Sequence, residues 1–453
     1  MSRKVPDDSA KEALRGLKKK FVPQPIIFDT DYGEFIDDVF ALGLIVNSGD
    51  LLDLKYVMTT SEDPEQSAKC VARHLDLAKA SGIGIGQGSP YPDVSLRAGV
   101  CFDNGFTRLG MPLADTCNDG PDLPFDANGL ETMAAMLQAS DRDDWWYMVV
   151  GGQTTLKDLI EQYPAAAAKI STLIVMGGNW CANFQPYPDV DAPTDETNIS
   201  CDPVAANIVS SSTSPFDKIY YVPVVVADEI GGEDYIKFVS AAQSGADAGA
   251  MATLEFYKAW SAAARADPSL LIHKEAMTYD PLFESTPQFD ACAVMLALQL
   301  LDHKKCDDRM KLYDLEDGVH FLETTDSGLQ PYPQSPRGGF SLLPEGFMIA
   351  DLPEQCPALT EFTFNPATTP EAPKPVNVAL VFERPQAKDI LYAEMAARMA
   401  GTYPGKKDKC YNPKTKKTKA PKASKGPKAS KAPKASKEPK ASKAPKGRRE
   451  RII

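Results

Sequence analysis

Crowded carboxylates between a short apolar strand and a helix are the feature that most limits how this chain can fold. Four aspartates and one glutamate fall within the ten residues from Asp29 to Asp38. They follow the apolar residues 26–28 and precede an apolar helical pattern over 39–46. Carboxylates this close repel one another, and some of their pKa values rise unless a cation neutralises the charge. The segment therefore predicts a ligand-binding loop at the end of a strand, and its hard oxygen donors favour Ca²⁺ or Mg²⁺ over zinc.

A purely structural explanation of the same aspartates stays open at this point. Asp37 and Asp38 stand where the helical pattern begins, and aspartate is a common capping residue at that position. In that case the loop before them would be solvated surface. The acidic segment alone does not decide between the two interpretations.

Short apolar runs alternate with helical patterns along most of the chain. This alternation predicts an α/β fold with a mainly parallel central sheet, flanking helices and a Rossmann-like core. The glycines at 84, 86 and 88 are interpreted as a strand with close backbone approach and not as a dinucleotide loop, because Pro90 and Pro92 follow where a helix would begin. The predicted strands cover 26–28, 54–60, 83–88, 146–150, 172–176, 219–226 and 377–382.

The net charge of −13 hides two regions of opposite sign. Residues 405–453 contain 19 Lys and Arg against three acidic residues, a net charge of +16, so the other 404 residues carry −29. From Pro421 to Ala444 the tail repeats Pro-Lys-Ala-Ser-Lys-X four times. Regular proline and dense like charge leave nothing to bury, so we expect a disordered tail. The predicted organisation is a charged extension over 1–24, one α/β domain over 25–404 and the tail over 405–453.

The cysteines and the N-terminus carry predictions about the compartment. Nine cysteines form an odd set without Cys-x-x-Cys spacing, which argues against a disulfide framework and against a zinc site. Cys292 lies in an apolar run and is expected to be a buried core thiol. Residues 1–20 are charged and lack the apolar run of a signal peptide. We therefore expect a soluble cytoplasmic protein without a membrane partner, with the nucleus as an alternative because of the basic tail.

Five segments resemble, in chain order, the motifs of the inosine-uridine preferring nucleoside hydrolases. The acidic segment looks like the N-terminal signature of that family, and the two Gly-Gly turns look like its later strand-to-helix turns. The spacing of six from Asp31 to Asp37 is similar to a variant branch of the family. The five segments are DTDYGEFIDDVFAL at 29–42, VGGQTTL at 150–156, MGG at 176–178, ETNISCDPVAA at 196–206 and FDACAV at 289–294.

The resemblance implies Ca²⁺-dependent hydrolysis of the N-glycosidic bond of ribonucleosides, giving ribose and free base. Carried over by position, Asp31, Asp38 and Asp290 would supply carboxylate ligands to the metal, and the Val150 main-chain carbonyl would supply another. The metal would hold and acidify the attacking water, and Asp31 would be its general base. An oxocarbenium-like transition state makes a ring of anionic and amide oxygens around the sugar chemically sensible.

The resemblance also implies residues for the two halves of the substrate. For two of the sugar-binding candidates, Glu196 and Asn198, the alternative is an ordinary polar surface position, and for the aromatic base-stacking candidates it is packing in the core. The ribose hydroxyls would be bound by Asp37, Asn183, Glu196 and Asn198, and candidates for stacking on the base are Trp180, Phe184 and Trp260.

Two departures from the family pattern leave the leaving-group acid unassigned. Phe289 stands where a histidine often protonates the base, and residues 61–64 stand where an asparagine is expected. His273 is a candidate for a displaced acid, with a satisfied structural histidine as the alternative. These departures motivate a second hypothesis, a nucleoside- or sugar-binding protein that has lost turnover.

The tail supports a third hypothesis, in which the protein is a scaffold that the basic tail attaches electrostatically to a polyanion. A lysine-, alanine- and proline-rich repeat resembles the tails of linker histones and would bind nucleic acid or another polyanion without reading sequence. A solvated solubility tail is the alternative. The sequence also leaves open whether the protein forms a homo-oligomer.

Overall fold

The fold is taken from a computed structural model of the chain. The structure describes residues 22–33, 36–92, 113–119, 123–178, 197–223, 248–266, 289–301, 310–315, 320–321, 341–342, 376–382 and 385–400. Elements are numbered in chain order within these residues.

The described strands form one large sheet and one small one. The large sheet has eight strands in the order β3-β2-β1-β4-β5-β6-β10-β7, and all neighbours pair in parallel except β10 and β7. The predicted α/β fold with a mainly parallel sheet is confirmed. The strands are β1 (Gln24–Thr30), β2 (Leu52–Thr59), β3 (Gly84–Gln87), β4 (Trp145–Val149), β5 (Ile170–Met176), β6 (Lys218–Val222), β7 (Met310–Leu315), β8 (His320–Phe321), β9 (Ser341–Leu342) and β10 (Val376–Phe382), of which β8 and β9 form the small sheet.

Helices connect the parallel strands, as right-handed βαβ units require. Helices α1 and α10 are largely buried, which explains why their sequences are apolar on nearly every face. The helices are α1 (Asp37–Val46), α2 (Pro64–Leu77), α3 (Ala114–Asn118), α4 (Gly129–Ala139), α5 (Thr154–Gln162), α6 (Pro164–Ala167), α7 (Thr197–Ser200), α8 (Pro203–Val209), α9 (Ala248–Ala266), α10 (Phe289–Leu301) and α11 (Pro385–Met399).

The register of β1 brings the important loops to one edge of the sheet. β1 lies between β2 and β4, with Asp29 paired to Met58 on one side and to Val149 on the other. Because these strands are parallel, their carboxyl ends meet at the same edge. The Val150 N–H donates to the Asp29 carbonyl at 2.9 Å, which holds the chain after β4 against the end of β1.

The glycines of β3 confirm the interpretation as a strand with close backbone approach. A Cβ at Gly86 would lie 2.6 Å from the Cα of Gly129, and one at Gly84 would lie 2.3 Å from the ring of Tyr56. Only a residue without a side chain allows this packing.

The last helix docks at the amino edge of the sheet. Arg398 of α11 is 2% exposed, and its guanidinium contacts Glu394 at 3.1 Å and Asp50 at 3.2 Å. Asp50 follows α1, so the end of α11 lies near the C-terminal end of α1. The described chain ends there, at Ala400.

Two expectations from the cysteines have different outcomes. Cys292 is fully buried in α10, as predicted. The expectation against disulfides was wrong for one described pair, because Cys70 of α2 and Cys117 of α3 form a disulfide. Their separation of 47 residues carried no local spacing signal, and only the packing of α3 against α2 brings them together.

The predicted division into three regions stays a prediction. Most of the extension over 1–24 and the whole tail over 405–453 lie outside the described residues. Within the part of the chain that is described, no helix combines the length and apolarity needed to cross a membrane.

Candidate active site

The acidic segment bridges the end of β1 and the first turn of α1. Asp29 lies in β1, Asp31 follows it, and Asp37 and Asp38 are the first two residues of α1. The N-cap is Ile36, which makes no side-chain capping bond, so the alternative that Asp37 or Asp38 caps this helix is wrong. Both carboxylates are buried instead, 6% and 2% exposed.

A third carboxylate reaches the same place from a distant part of the sequence. Asp290 is in the first turn of α10, which packs on α1, and it is 3% exposed. Ligand oxygens of Asp37, Asp38 and Asp290 all lie within 4.8 Å of one another. The N-terminal turns of two helices therefore converge on one acidic cluster, and the helix dipoles favour negative charge there.

Burial shifts the titration of these groups upward. Desolvation raises the pKa of Asp37 to about 7, and repulsion from Asp31 adds to the rise. Desolvation also raises the pKa of Asp31 to about 7. The pKa of Asp290 is raised well above its ordinary value by burial and then by the charges of Asp37, Asp38 and Asp31. Negative charge in this cluster is costly without a cation beside it.

Hydroxyl groups from neighbouring strands hold two of the aspartates. Asp29 accepts hydrogen bonds from Thr60 Oγ1 and from the Tyr147 hydroxyl, both at 2.6 Å. Thr30 Oγ1 donates to Asp38 Oδ1. Asp29 is fully buried, and desolvation raises its pKa to about 6. This layer fixes the backbone and side chains of the acidic loop before any ligand arrives.

The turn after β4 contributes a carbonyl next to the acidic loop. The Val150 carbonyl accepts from Asn198 Nδ2 at 2.6 Å, and the same amide nitrogen donates to the Met176 carbonyl at 3.3 Å. A carbonyl oxygen has two lone pairs, so the bond from Asn198 leaves Val150 capacity for a second partner. Asn198 is 8% exposed, so the alternative of surface polarity is wrong for this residue.

Comparison with protein families identifies the chain. The model of the family described as inosine-uridine preferring nucleoside hydrolase matches residues 26–332. The chain belongs to this family. No curated protein matches the chain in a sequence search.

Solved structures similar to this chain share its fold at low sequence identity. A plant nucleoside hydrolase superposes with a TM-score of 0.53 at 15% identity, covering 84% of this chain and 99% of its own. An inosine-guanosine nucleoside hydrolase has a TM-score of 0.53 at 14% identity, with 83% and 98% covered. The type III effector protein XopQ, complexed with adenosine diphosphate ribose, has a TM-score of 0.53 at 14% identity, with 88% and 100% covered. At these identities the comparison concerns the fold.

The acidic cluster of this nucleoside hydrolase family member fits a hard divalent cation. Its donors are all carboxylate oxygens, supported by a main-chain carbonyl, which is the chemistry that Ca²⁺ and Mg²⁺ prefer. Asp31 is not one of the three aspartates within 4.8 Å of one another, but its side chain makes a hydrogen bond with Asp38. A cation at Asp37, Asp38 and Asp290 would thus have Asp31 beside it.

Several predicted substrate residues fall outside the part of the chain that can be described. These are Asn183, Glu196, Trp180 and Phe184, together with His273. Trp260 is described, and it lies in α9 with 2% exposure as part of the core cluster.

The two departures from the family pattern have clear positions. Phe289 is the first residue of α10, half-buried and packed against the core, next to Asp290. The segment 61–64 begins α2: Asp63 accepts from the Gln66 N–H at 3.1 Å as N-cap, and Pro64 is the first helical residue. The leaving-group acid stays unassigned among the described residues.

The sequence did not indicate Tyr91, which contacts Asp31 directly. The Tyr91 hydroxyl donates to Asp31 Oδ2 at 3.1 Å. A tyrosine between two prolines just after a strand was the only available signal, and it does not specify a partner.

Proposed function

We propose that this protein hydrolyses the N-glycosidic bond of ribonucleosides at a Ca²⁺ ion, releasing ribose and free base. The observation that carries the proposal is the buried cluster of Asp37, Asp38 and Asp290 at the carboxyl edge of the sheet. Membership of the nucleoside hydrolase family supports the reaction class. The raised pKa values of the cluster support a bound cation, because a divalent charge would offset the repulsion.

The residues have distinct tasks in the proposed reaction. A bound Ca²⁺ would contribute a Lewis acid that holds the attacking water and lowers its pKa. Asp31, beside the cluster, accepts a proton from that water as its oxygen bonds to C1′ of the ribose. The C1′–N bond breaks, its electron pair leaves with the base, and the base then takes up a proton. Asp38 and Asp290 would hold the cation together with the Val150 carbonyl, and Asp37 would serve the ribose hydroxyls or the cation.

Asn198 and the unplaced residues complete the proposed sugar site. The Asn198 amide is held at the ends of β4 and β5 by the Val150 and Met176 carbonyls. This anchoring suits a group that orients a ribose hydroxyl, since the side chain has little freedom to lose on binding. Asn183 and Glu196 are proposed for the other hydroxyls, and Trp180, Phe184 and Trp260 for the base.

A nucleoside panel with purified protein and Ca²⁺, assayed for released ribose, tests the proposal. Asp38→Ala should abolish release and weaken Ca²⁺ binding, whereas Asp53→Asn, on the exposed side of β2, should leave both intact. Absence of release from every nucleoside, with normal Ca²⁺ binding, would refute hydrolysis and favour a binding protein without turnover. Full activity in Asp38→Ala would refute the metal assignment.

The basic tail supports a second, separate proposal of polyanion binding. The tail over 405–453 has a net charge of +16, and its repeat over 421–444 contains no aromatic residue, which favours phosphate contacts over base stacking. The tail contains none of the residues proposed for the nucleoside site. Truncation at Gly405 should therefore leave hydrolysis intact and abolish salt-sensitive binding to DNA or RNA. Binding that survives truncation would refute this proposal.

The compartment and the oligomeric state stay predictions. The Cys70–Cys117 disulfide argues against the cytoplasmic and nuclear locations expected from the sequence, because such pairs are usually kept reduced there. A homo-oligomer is untested.

A further inference from the structure

We propose that Tyr91 is a positioning residue that orients Asp31 for the reaction. The inference rests on the proposed function, because it assumes that Asp31 serves the water or the cation. Tyr91 lies in the sequence Pro90-Tyr91-Pro92, in the loop that follows β3. Proline at 92 disfavours the helical conformation at Tyr91, so the backbone is restricted to extended conformations.

Main-chain contacts hold Tyr91 between two loops of the site. Its N–H donates to the Ser61 carbonyl at 3.1 Å, which ties it to the turn after β2. The side chain is 6% exposed, so the ring is buried at the sheet edge.

Two of the described contacts of the Tyr91 hydroxyl indicate the direction of its proton. The Gly152 N–H donates to the Tyr91 hydroxyl at 3.1 Å. Because a main-chain N–H can only donate, the hydroxyl oxygen is the acceptor in that bond. The one proton of the hydroxyl is then directed to Asp31 Oδ2, also at 3.1 Å. Tyr91 thus links the turn after β4 to one chosen oxygen of Asp31.

The two glycines after β4 make this arrangement possible. A Cβ at Gly152 would lie 2.4 Å from Cε1 of the Tyr91 ring, and a Cβ at Gly151 would lie 3.0 Å from the Asp31 N and Oδ1. A side chain at either position would displace the tyrosine or the aspartate. The Gly-Gly turn is therefore the surface against which both residues are placed.

The functional consequence is a fixed carboxylate plane. A buried aspartate that reacts with water must hold its oxygens within a few tenths of an ångström of the productive geometry. A neutral hydroxyl donor fixes Oδ2 without adding charge to the site. Outer hydrogen-bond partners of metal-site carboxylates typically change metal affinity or activity by about 10–100-fold.

Tyr91→Phe tests the inference, with Tyr221→Phe as matched control. Tyr221 of β6 is buried like Tyr91, and its hydroxyl pairs with Ser210 Oγ at 2.6 Å, so Tyr221→Phe removes that buried hydrogen bond away from the acidic cluster. We expect Tyr91→Phe to lower kcat by about 10-fold or more with KM within about twofold, and to weaken Ca²⁺ binding by about 10-fold in calorimetric titration. The control should leave kcat and Ca²⁺ affinity near wild type.

The outcomes separate this inference from the proposed function. If the wild type binds Ca²⁺ but releases no ribose, hydrolysis is refuted, and the Ca²⁺ affinities still decide the role of Tyr91. If Tyr91→Phe matches Tyr221→Phe within about twofold in kcat and in Ca²⁺ affinity, Tyr91 only packs and the inference is overturned. A rise in KM alone, with kcat and Ca²⁺ affinity unchanged, overturns the inference as well.

Discussion

Replacing Asp37 with asparagine should stabilise the metal-free protein, and increasingly so as the pH rises. The folded state raises the pKa of Asp37 from 3.8 to about 7, mainly through desolvation. A raised carboxyl pKa means that the native state holds its proton more tightly than the unfolded chain, so this group lowers stability as pH rises from 3.8 to 7. Three pKa units at about 1.4 kcal/mol each give a cost of about 4 kcal/mol above pH 7.

The expected signal is the pH dependence of the difference in unfolding free energy between Asp37→Asn and wild type. At pH 5 part of the cost is already present, so the advantage of Asp37→Asn over wild type should grow by about 2–3 kcal/mol between pH 5 and pH 8. The asparagine side chain is uncharged at every pH and is nearly isosteric with aspartate. Removing the Asp37 charge also removes its repulsion of Asp290, whose carboxylate is negative as well.

The assay is urea unfolding in EDTA at pH 5 and pH 8. Titrating groups that do not interact with Asp37 occur unchanged in both proteins, so their pH dependence cancels in the comparison. Asp202→Asn is a suitable control: Asp202 is a buried N-cap of α8 that lies 3.8 Å from Lys157, and its replacement should give no gain at pH 8. With Ca²⁺ at 100 times the wild-type Kd the advantage of the variant should shrink by up to about 2.7 kcal/mol, since wild type gains that amount and the variant gains less. A stability difference that stays constant from pH 5 to pH 8 in EDTA would refute the reasoning.

Three further predictions concern the scaffold. Cys70→Ser should lower the unfolding free energy by about 2–4 kcal/mol, because the bond to Cys117 closes a long loop; equal stability with and without reductant in wild type would contradict this. Gly86→Ala should cost about 1–3 kcal/mol or prevent folding, since its Cβ would meet Gly129 at 2.6 Å; an unchanged melting temperature would contradict it. Burial lowers the pKa of His74 to about 3, so wild type should lose about 2 kcal/mol relative to His74→Gln between pH 6.5 and pH 5, and parallel pH profiles of the two proteins would contradict that expectation.

Much of the fold could be predicted from local patterns. The strand at 146–150 was expected within one residue of β4, because an apolar run that ends at Gly-Gly is a strong local signal. The helical pattern at 39–46 starts two residues after α1 does, since the buried Asp37 and Asp38 form the start of the helix before the apolar pattern begins. Boundaries of this kind depend on capping and are the weakest part of a pattern.

The sequence by itself determined the order of strands and helices, the parallel sheet and the acidic loop after β1. These follow from periodicity and from charges that are neighbours along the chain. The family resemblance grouped Asp290 with Asp31 and Asp38, but only the tertiary structure decided that α10 brings Asp290 within reach of Asp37 as well, and that Tyr91 lies on Asp31. The reason is physical: the first set of properties depends on residues a few positions apart. The second depends on how buried helices and turns pack, and contacts across the sheet edge leave no trace in local spacing.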